Sequence, residues 1–223
     1  MIRNLKALGL ALVAVFAMSA VAASAASATS TFTTDSDNTT LTATALGNQV
    51  FTAGGSSVSC KEVSIDNTTT GTTATSITAE PTYSGDCTIT VEGSTFEAKV
   101  DPEGCAYIFT AATETEKVDV HIECPLNKVL KVTAFIAGAF RECLDIHEQT
   151  PTFSTIEYHN RETADKTMDV EITANVHGIT YEKTGLCKGA TGNEGNDATY
   201  IGNVTVTGED QSKPPKPVGI TVS

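Results

Sequence analysis

The sequence predicts an all-β fold, an antiparallel β-sandwich or barrel of about ten to twelve short strands stapled by disulfides. Three observations carry that expectation. From Leu41 onward apolar side chains recur with a period of two, the spacing at which successive side chains fall on opposite faces of a strand. Gly, Pro, Asn and Asp clusters interrupt the pattern at strand-length intervals. Six cysteines, Cys60, Cys87, Cys105, Cys124, Cys143 and Cys187, form an even set spaced 27, 18, 19, 19 and 44 residues apart. That set suits disulfides in an exported chain and lacks the Cys-x-x-Cys pairs of a zinc site.

The first segment reads as an address. Arg3 and Lys6 precede the apolar run Ala7–Met18, and small-x-small tripeptides follow at Ala20-Val21-Ala22, Ala23-Ser24-Ala25 and Ala26-Ser27-Ala28. This is the pattern of a secretory signal peptide over residues 1–28, with the cut after any of the three. The run is short of the ~20 residues of a membrane span. No second run of spanning length follows, so no span is expected in the mature chain. Residues 29–40 are mostly Thr, Ser, Asp and Asn with Phe32 as the one aromatic. They are expected to form a flexible Thr/Ser-rich leader, because so little apolar surface does not offset the entropy of ordering. Residues 41–223 then form the β-sandwich domain.

Within it, Lys117–Cys124 places Val118, Val120, Ile122 and Cys124 on one face and Lys117, Asp119, His121 and Glu123 on the other. Thr167–Val176 repeats the alternation, and Leu130–Ile136, Tyr200–Val206 and Val218–Val222 follow it less cleanly. Two hairpins can be assigned a register. A type II′ turn at Gly93-Ser94 pairs Val91 with Phe96, Ile89 with Ala98 and Cys87 with Val100. Folding Cys105–Cys124 about Glu114-Thr115 pairs Ala111 with Val118, Phe109 with Val120 and Tyr107 with Ile122. That register sets Cys105 opposite Cys124, within disulfide reach. Order along the chain then favours Cys60–Cys87 and Cys143–Cys187 among the 15 connectivities that six cysteines allow.

Ala137–His147 is ambiguous, with Phe140, Cys143, Leu144 and His147 at helical spacing and Leu144 and Ile146 at strand spacing. Gln149-Thr150-Pro151-Thr152 is the best point for a subdivision near residue 150, although Cys143 and Cys187 flank it and a single unit is favoured. Gly189–Asp197 reads as a surface loop and Lys213–Pro217 as a stiff spacer before a last strand.

The chemistry is mostly exclusion. With 14 Lys and Arg against 27 Asp and Glu the formal charge is −13, and removing Arg3 and Lys6 leaves 12 basic against 27 acidic groups, a net −15. Such a chain has no basic surface for nucleic acid. The four histidines, His121, His147, His159 and His177, form no pattern of metal ligands; Asp145 and His147 share a strand face, but no second pair accompanies them. No G-x-S-x-G elbow occurs. The absence of Trp leaves few platforms for a sugar ring. Asp35-Ser36-Asp37-Asn38 alternates oxygen ligands but lacks the Gly and closing Glu of a calcium loop. Asn38, Asn67 and Asn203 open glycosylation acceptors, which carry meaning only in a host that uses them. No catalytic, metal or cofactor-binding residue is assigned, and no cofactor is expected.

The segments Val58-Ser59-Cys60, Pro81–Cys87, Gly104–Tyr107, Ile122–Pro125, Asn175–Tyr181 and Tyr200–Gly208 resemble a group of uncharacterised exported six-cysteine β-rich proteins of actinobacteria. The Cys60–Cys87 part is also similar to exported proteins named as activators of alkane oxidation. The resemblance implies fold and export; it implies no activity, and no catalytic residue is carried over. The functional expectation is a secreted or envelope-associated, non-enzymatic binding or structural module whose partner is an unknown protein or envelope component. The alternative is a secreted hydrolase with an unrecognised site.

Overall fold

A computed structural model describes residues 31–222 except 71, 85, 113–116, 152, 189–192 and 212–213. Along the chain the strands are β1 (Phe32–Thr34), β2 (Asn38–Ala45), β3 (Gln49–Ala53), β4 (Ser56–Cys60), β5 (Glu62–Thr70), β6 (Thr73–Ala74), β7 (Ser76–Ser84), β8 (Thr88–Val91) and β9 (Ser94–Asp101). They continue as β10 (Ala106–Ala111), β11 (Val118–Glu123), β12 (Leu130–Ile136), β13 (Ala139–Ile146), β14 (Phe153–Glu162), β15 (Met168–Lys183), β16 (Glu194–Asp210), β17 (Pro217–Val218) and β18 (Ile220–Val222). One 3₁₀ turn, Gly185–Cys187, is the only helical element among the described residues. The segments outnumber the ten to twelve expected, and the short pieces β1, β6, β17 and β18 account for part of the excess. No described helix is long and apolar enough to cross a membrane.

The architecture is organised by one long hairpin. β15 and β16 run side by side from Val170↔Val206 to Glu182↔Glu194, and each is long enough to take two neighbours on its free edge. The first half of β16 pairs with β3 and the second half with β2. Correspondingly, the end of β15 pairs with β13 and its beginning with β14. The path β16-β3-β4-β8-β9-β12-β13-β15 closes into an eight-stranded antiparallel barrel. This is a barrel and not a sandwich, since the sheet returns to its own starting strand. The remaining strands form a second curved wall, β16-β2-β5-β7-β10-β11, whose last member meets β14 at a bridge between Lys117 and Glu157.

Packing follows the alternation. At the far end of the barrel Ala53, Ser56, Ala98, Ala134 and Ala198 are all buried, because an eight-stranded ring leaves room for little more than its own inward side chains. In β16 the even positions Ala198, Tyr200, Gly202, Val204 and Val206 point inward, and Ile201 and Asn203 are exposed. The ambiguous Ala137–His147 stretch is the strand β13, entered through a tight turn at Ala137-Gly138 with φ of 53° and 85°. Its mixed periodicity has a cause. The register with β12 slips between Val132↔Leu144 and Thr133↔Glu142, so Cys143 is the extra residue of a β-bulge. The bulge allows the consecutive Cys143 and Leu144 both to be fully buried.

The β10–β11 hairpin has the register Ala111↔Val118, Phe109↔Val120 and Tyr107↔Ile122, and a disulfide joins Cys105 to Cys124. The other two bridges join Cys60 to Cys87 and Cys143 to Cys187. The hairpin turn expected at Glu114-Thr115 lies outside the described residues. The first hairpin differs from expectation. Its turn is Glu92-Gly93, with φ of 48° and 80°, a type I′ geometry in which Gly takes the second left-handed position without a Cβ clash. The pairs are Ile89↔Phe96 and Val91↔Ser94. The shift is two residues, so every side chain keeps its face.

One organisational expectation is corrected. The segment 29–40 is not a flexible leader over its described part. β1 pairs with β18 and β6, and β2 begins at Asn38 with Thr39 fully buried; partners from the far end of the chain supply the surface that the segment itself lacks. Around residue 150 the chain is continuous with both parts of the fold. Strands of the barrel and of the second wall alternate in sequence, and Gln149 is welded in place. Its backbone exchanges hydrogen bonds with Ile122 at 2.8 and 2.9 Å. Its side chain donates from Nε2 to the Thr180 carbonyl at 2.8 Å and accepts from the Thr180 N–H at 2.6 Å.

Replacing Cys105 and Cys124 together by Ala releases a loop of 19 residues. Urea denaturation is expected to show a loss of about 3 kcal/mol with the native circular dichroism spectrum retained.

Candidate functional site

Where the barrel meets the second wall, the inward side chains do not fill the space. Ala43 of β2, Ala79 of β7, Ala174 of β15 and Gly202 of β16 are inward residues too small to reach across, and a cavity of about 180 Å³ lies between them and Phe51, Val58, Tyr107, Phe109, Ile122, Val176 and Tyr200. The lining is almost wholly aliphatic and aromatic. Phe51, Tyr107, Phe109, Ile172 and Tyr200 line the cavity and are only partly buried. Phe32, Ile220 and Val222 line its other end. Phe32 belongs to β1 and Ile220 and Val222 to β18, so the small β18-β1-β6 sheet borders the cavity. Asn160 fixes that sheet by donating to the Val222 carbonyl at 2.9 Å and accepting from the Val222 N–H at 3.0 Å.

Five polar side chains interrupt the apolar lining, Gln49 and the tyrosines Tyr83, Tyr107, Tyr158 and Tyr200. Gln49, 3 % exposed, donates from Nε2 to the carbonyls of Gly47 and Asn203, both at 3.0 Å, and its Oε1 accepts from the Tyr200 hydroxyl at 2.6 Å. Gly202 is required by this arrangement, because a Cβ there would stand 1.8 Å from Gln49 Oε1. Nearby, the hydroxyls of Tyr83 and Tyr107 share a hydrogen bond. Burial pushes the ionisation of Tyr83, Tyr107 and Tyr200 above the ordinary tyrosine range, most strongly for Tyr83 and Tyr200. All three stay neutral, so each keeps a hydroxyl proton. No Lys, Arg or His is among the lining residues.

The residues weighed in the sequence lie elsewhere. His121 holds Thr150 Oγ1 at 2.8 Å on the outer face of β11, His159 and His177 are exposed on β14 and β15, and His147 is exposed just past the end of β13. Among the described residues no three His, Cys, Asp or Glu gather as metal ligands. Of the Asp35–Asn38 stretch, residues 35–37 form the turn between β1 and β2 and Asn38 opens β2; the Asp35 N–H donates to the Gly219 carbonyl at 3.1 Å. All six cysteines are in disulfides. Asp145, paired with Glu182 across β13 and β15, has its Oδ1 buried without a hydrogen bond. Burial, with Glu142 adding to it, raises the Asp145 pKa above the usual carboxylate value.

The alternation places Tyr107 on the inward face of its hairpin, but Gln49, Tyr83 and Tyr200 carry no local signal that they meet. No protein-family model, curated protein or solved structure matches the chain.

Two outcomes follow from these contacts. Gly202→Ala drives a methyl into Gln49 and breaks its bond to Tyr200; chemical denaturation is expected to show a loss of about 2–4 kcal/mol. Because the folded protein raises the Asp145 pKa, it favours the protonated form, and the stability this gives at acid pH is lost as pH rises through the folded pKa. Asp145→Asn is therefore expected to raise Tm at pH 7, with the gain vanishing below the ordinary Asp value of 3.8, where both states are protonated. Thermal melts at several pH values check this.

Proposed function

We propose that the protein is an exported, non-enzymatic binding module that encloses a small apolar molecule between its barrel and its second wall. The observation that carries this reading is the cavity itself. Soluble interiors normally pack to the density of organic crystals, whereas here four small residues leave about 180 Å³ between aromatic and aliphatic walls. A dry apolar cavity of about 150 Å³ is enough to take up benzene. Export rests on the N-terminal signal pattern and is supported by the three disulfides, which persist in oxidising compartments.

The test is thermal denaturation and calorimetry of the purified disulfide-bonded protein with n-butylbenzene. Saturable binding that raises Tm is expected, since a ligand of the native state alone stabilises by mass action. Ala174→Phe, which fills the cavity, is expected to keep the circular dichroism spectrum and lose the binding. No saturable binding by the wild type overturns the reading.

One observation favours the alternative, a secreted hydrolase. Asp145 is a desolvated carboxyl beside Glu142 and opposite Glu182, and carboxyls with raised pKa serve as general acids. Turnover in a broad hydrolase screen that Asp145→Asn abolishes would replace the binding reading with this one.

A further inference from the structure

We propose that the cavity selects a neutral apolar molecule carrying one hydrogen-bond-accepting oxygen, a ketone or an ester, held by the Tyr83–Tyr107 hydroxyl pair. This deepens the binding reading above and rests on it.

The buried amide and hydroxyl protons of Gln49, Tyr200, Tyr83 and Tyr107 are not all used. Gln49 has two amide protons, and both are used, on Gly47 and Asn203. Its carbonyl oxygen takes the single proton of Tyr200. Tyr83 and Tyr107 bring one hydroxyl proton each, and the bond between them uses one. Whichever tyrosine accepts that bond keeps its own proton for another partner. Both residues line the cavity, so an acceptor on a molecule inside it can meet that donor.

The same walls fix the charge of the molecule. An anionic head group would lie among aliphatic side chains with no Lys, Arg or His in the lining, and an unpaired buried charge is far costlier than a neutral carbonyl. The tyrosines themselves resist ionisation through burial and supply no counter-charge. A pure hydrocarbon fits the walls but leaves the spare hydroxyl proton without a partner, which is unfavourable in a dry site. A neutral molecule with a single acceptor satisfies both conditions.

Calorimetric titration with three matched probes tests this: n-butylbenzene, butyrophenone and 4-phenylbutanoate. The expected order at pH 7 is butyrophenone tighter than n-butylbenzene by about threefold to tenfold, the net worth of one hydrogen bond, with 4-phenylbutanoate not binding measurably. Tyr83→Phe and Tyr107→Phe singly each leave one hydroxyl with a free proton, so the ketone preference is expected to persist in both. The double variant is expected to bind ketone and hydrocarbon equally and to retain its affinity for n-butylbenzene.

A wild type that binds the hydrocarbon as tightly as the ketone, or binds the carboxylate as tightly, overturns the inference and leaves the cavity-binding function standing. A ketone preference that survives the double variant also overturns it. If no probe binds the wild type, the binding function falls as well. The wild-type comparison decides the matter without any variant, so a double variant that fails to fold does not shield the proposal.

Discussion

Both compartments of the molecule hang on one antiparallel ladder, the pairing of β15 with β16. An isolated pair of 16- and 17-residue strands is marginal in water. Here each strand is flanked on its other edge by two partners, β13 and β14 against β15 and β3 and β2 against β16. The four flanking strands lead in opposite directions, two into the closed barrel and two into the second wall. Bulges at Ile179 and Tyr181 in the β15–β16 ladder change which face of β15 is inward as the chain passes from one compartment to the other. The ladder is thus the shared wall, and the cavity forms beside its midpoint because neither compartment's side chains reach there.

At that midpoint the fold accepts a costly arrangement. Gln49 is driven into an apolar interior, where its amide must find every partner locally. It does so through two backbone carbonyls and Tyr200, and the space it needs is provided by the missing side chain of Gly202. The Tyr83–Tyr107 pair close by has no such complete solution, since one proton is left over. A core built only for stability would more simply place Phe at one of these positions. The contrast between a fully paired Gln49 and an incompletely paired tyrosine couple is what distinguishes this interior from ordinary packing.

The disulfides sit at places where the ladders give out. Cys105 and Cys124 close the open end of a hairpin whose turn is ten or so residues away along each strand's path. Cys60 and Cys87 tie the end of β4 to the approach to β8. Cys143, the extra residue of a bulge, is anchored to the 3₁₀ turn after β15 through Cys187. Each bridge therefore secures a point at which backbone pairing alone is interrupted.

The sequence by itself determined the strand character of the chain and the faces of its strands, because a period of two is a local property that burial on one side enforces. Val118, Val120 and Ile122 face inward for that reason, and the β10–β11 register was legible because apolar residues and two cysteines all had to align. Registers differing by two residues satisfy the same alternation, so the Glu92-Gly93 turn, and not the pattern, decided the pairing of Ile89 with Phe96. The choice of a closed barrel over a sandwich was not legible, since it depends on two long strands each taking two partners on one edge, and no short stretch encodes that. The pairing of Phe32–Thr34 with Ile220–Val222 was hidden for the same reason. The cavity and its tyrosines were decided only by the tertiary structure: a volume left between distant walls, and a proton left over among residues 24 positions apart, are sums over the whole fold.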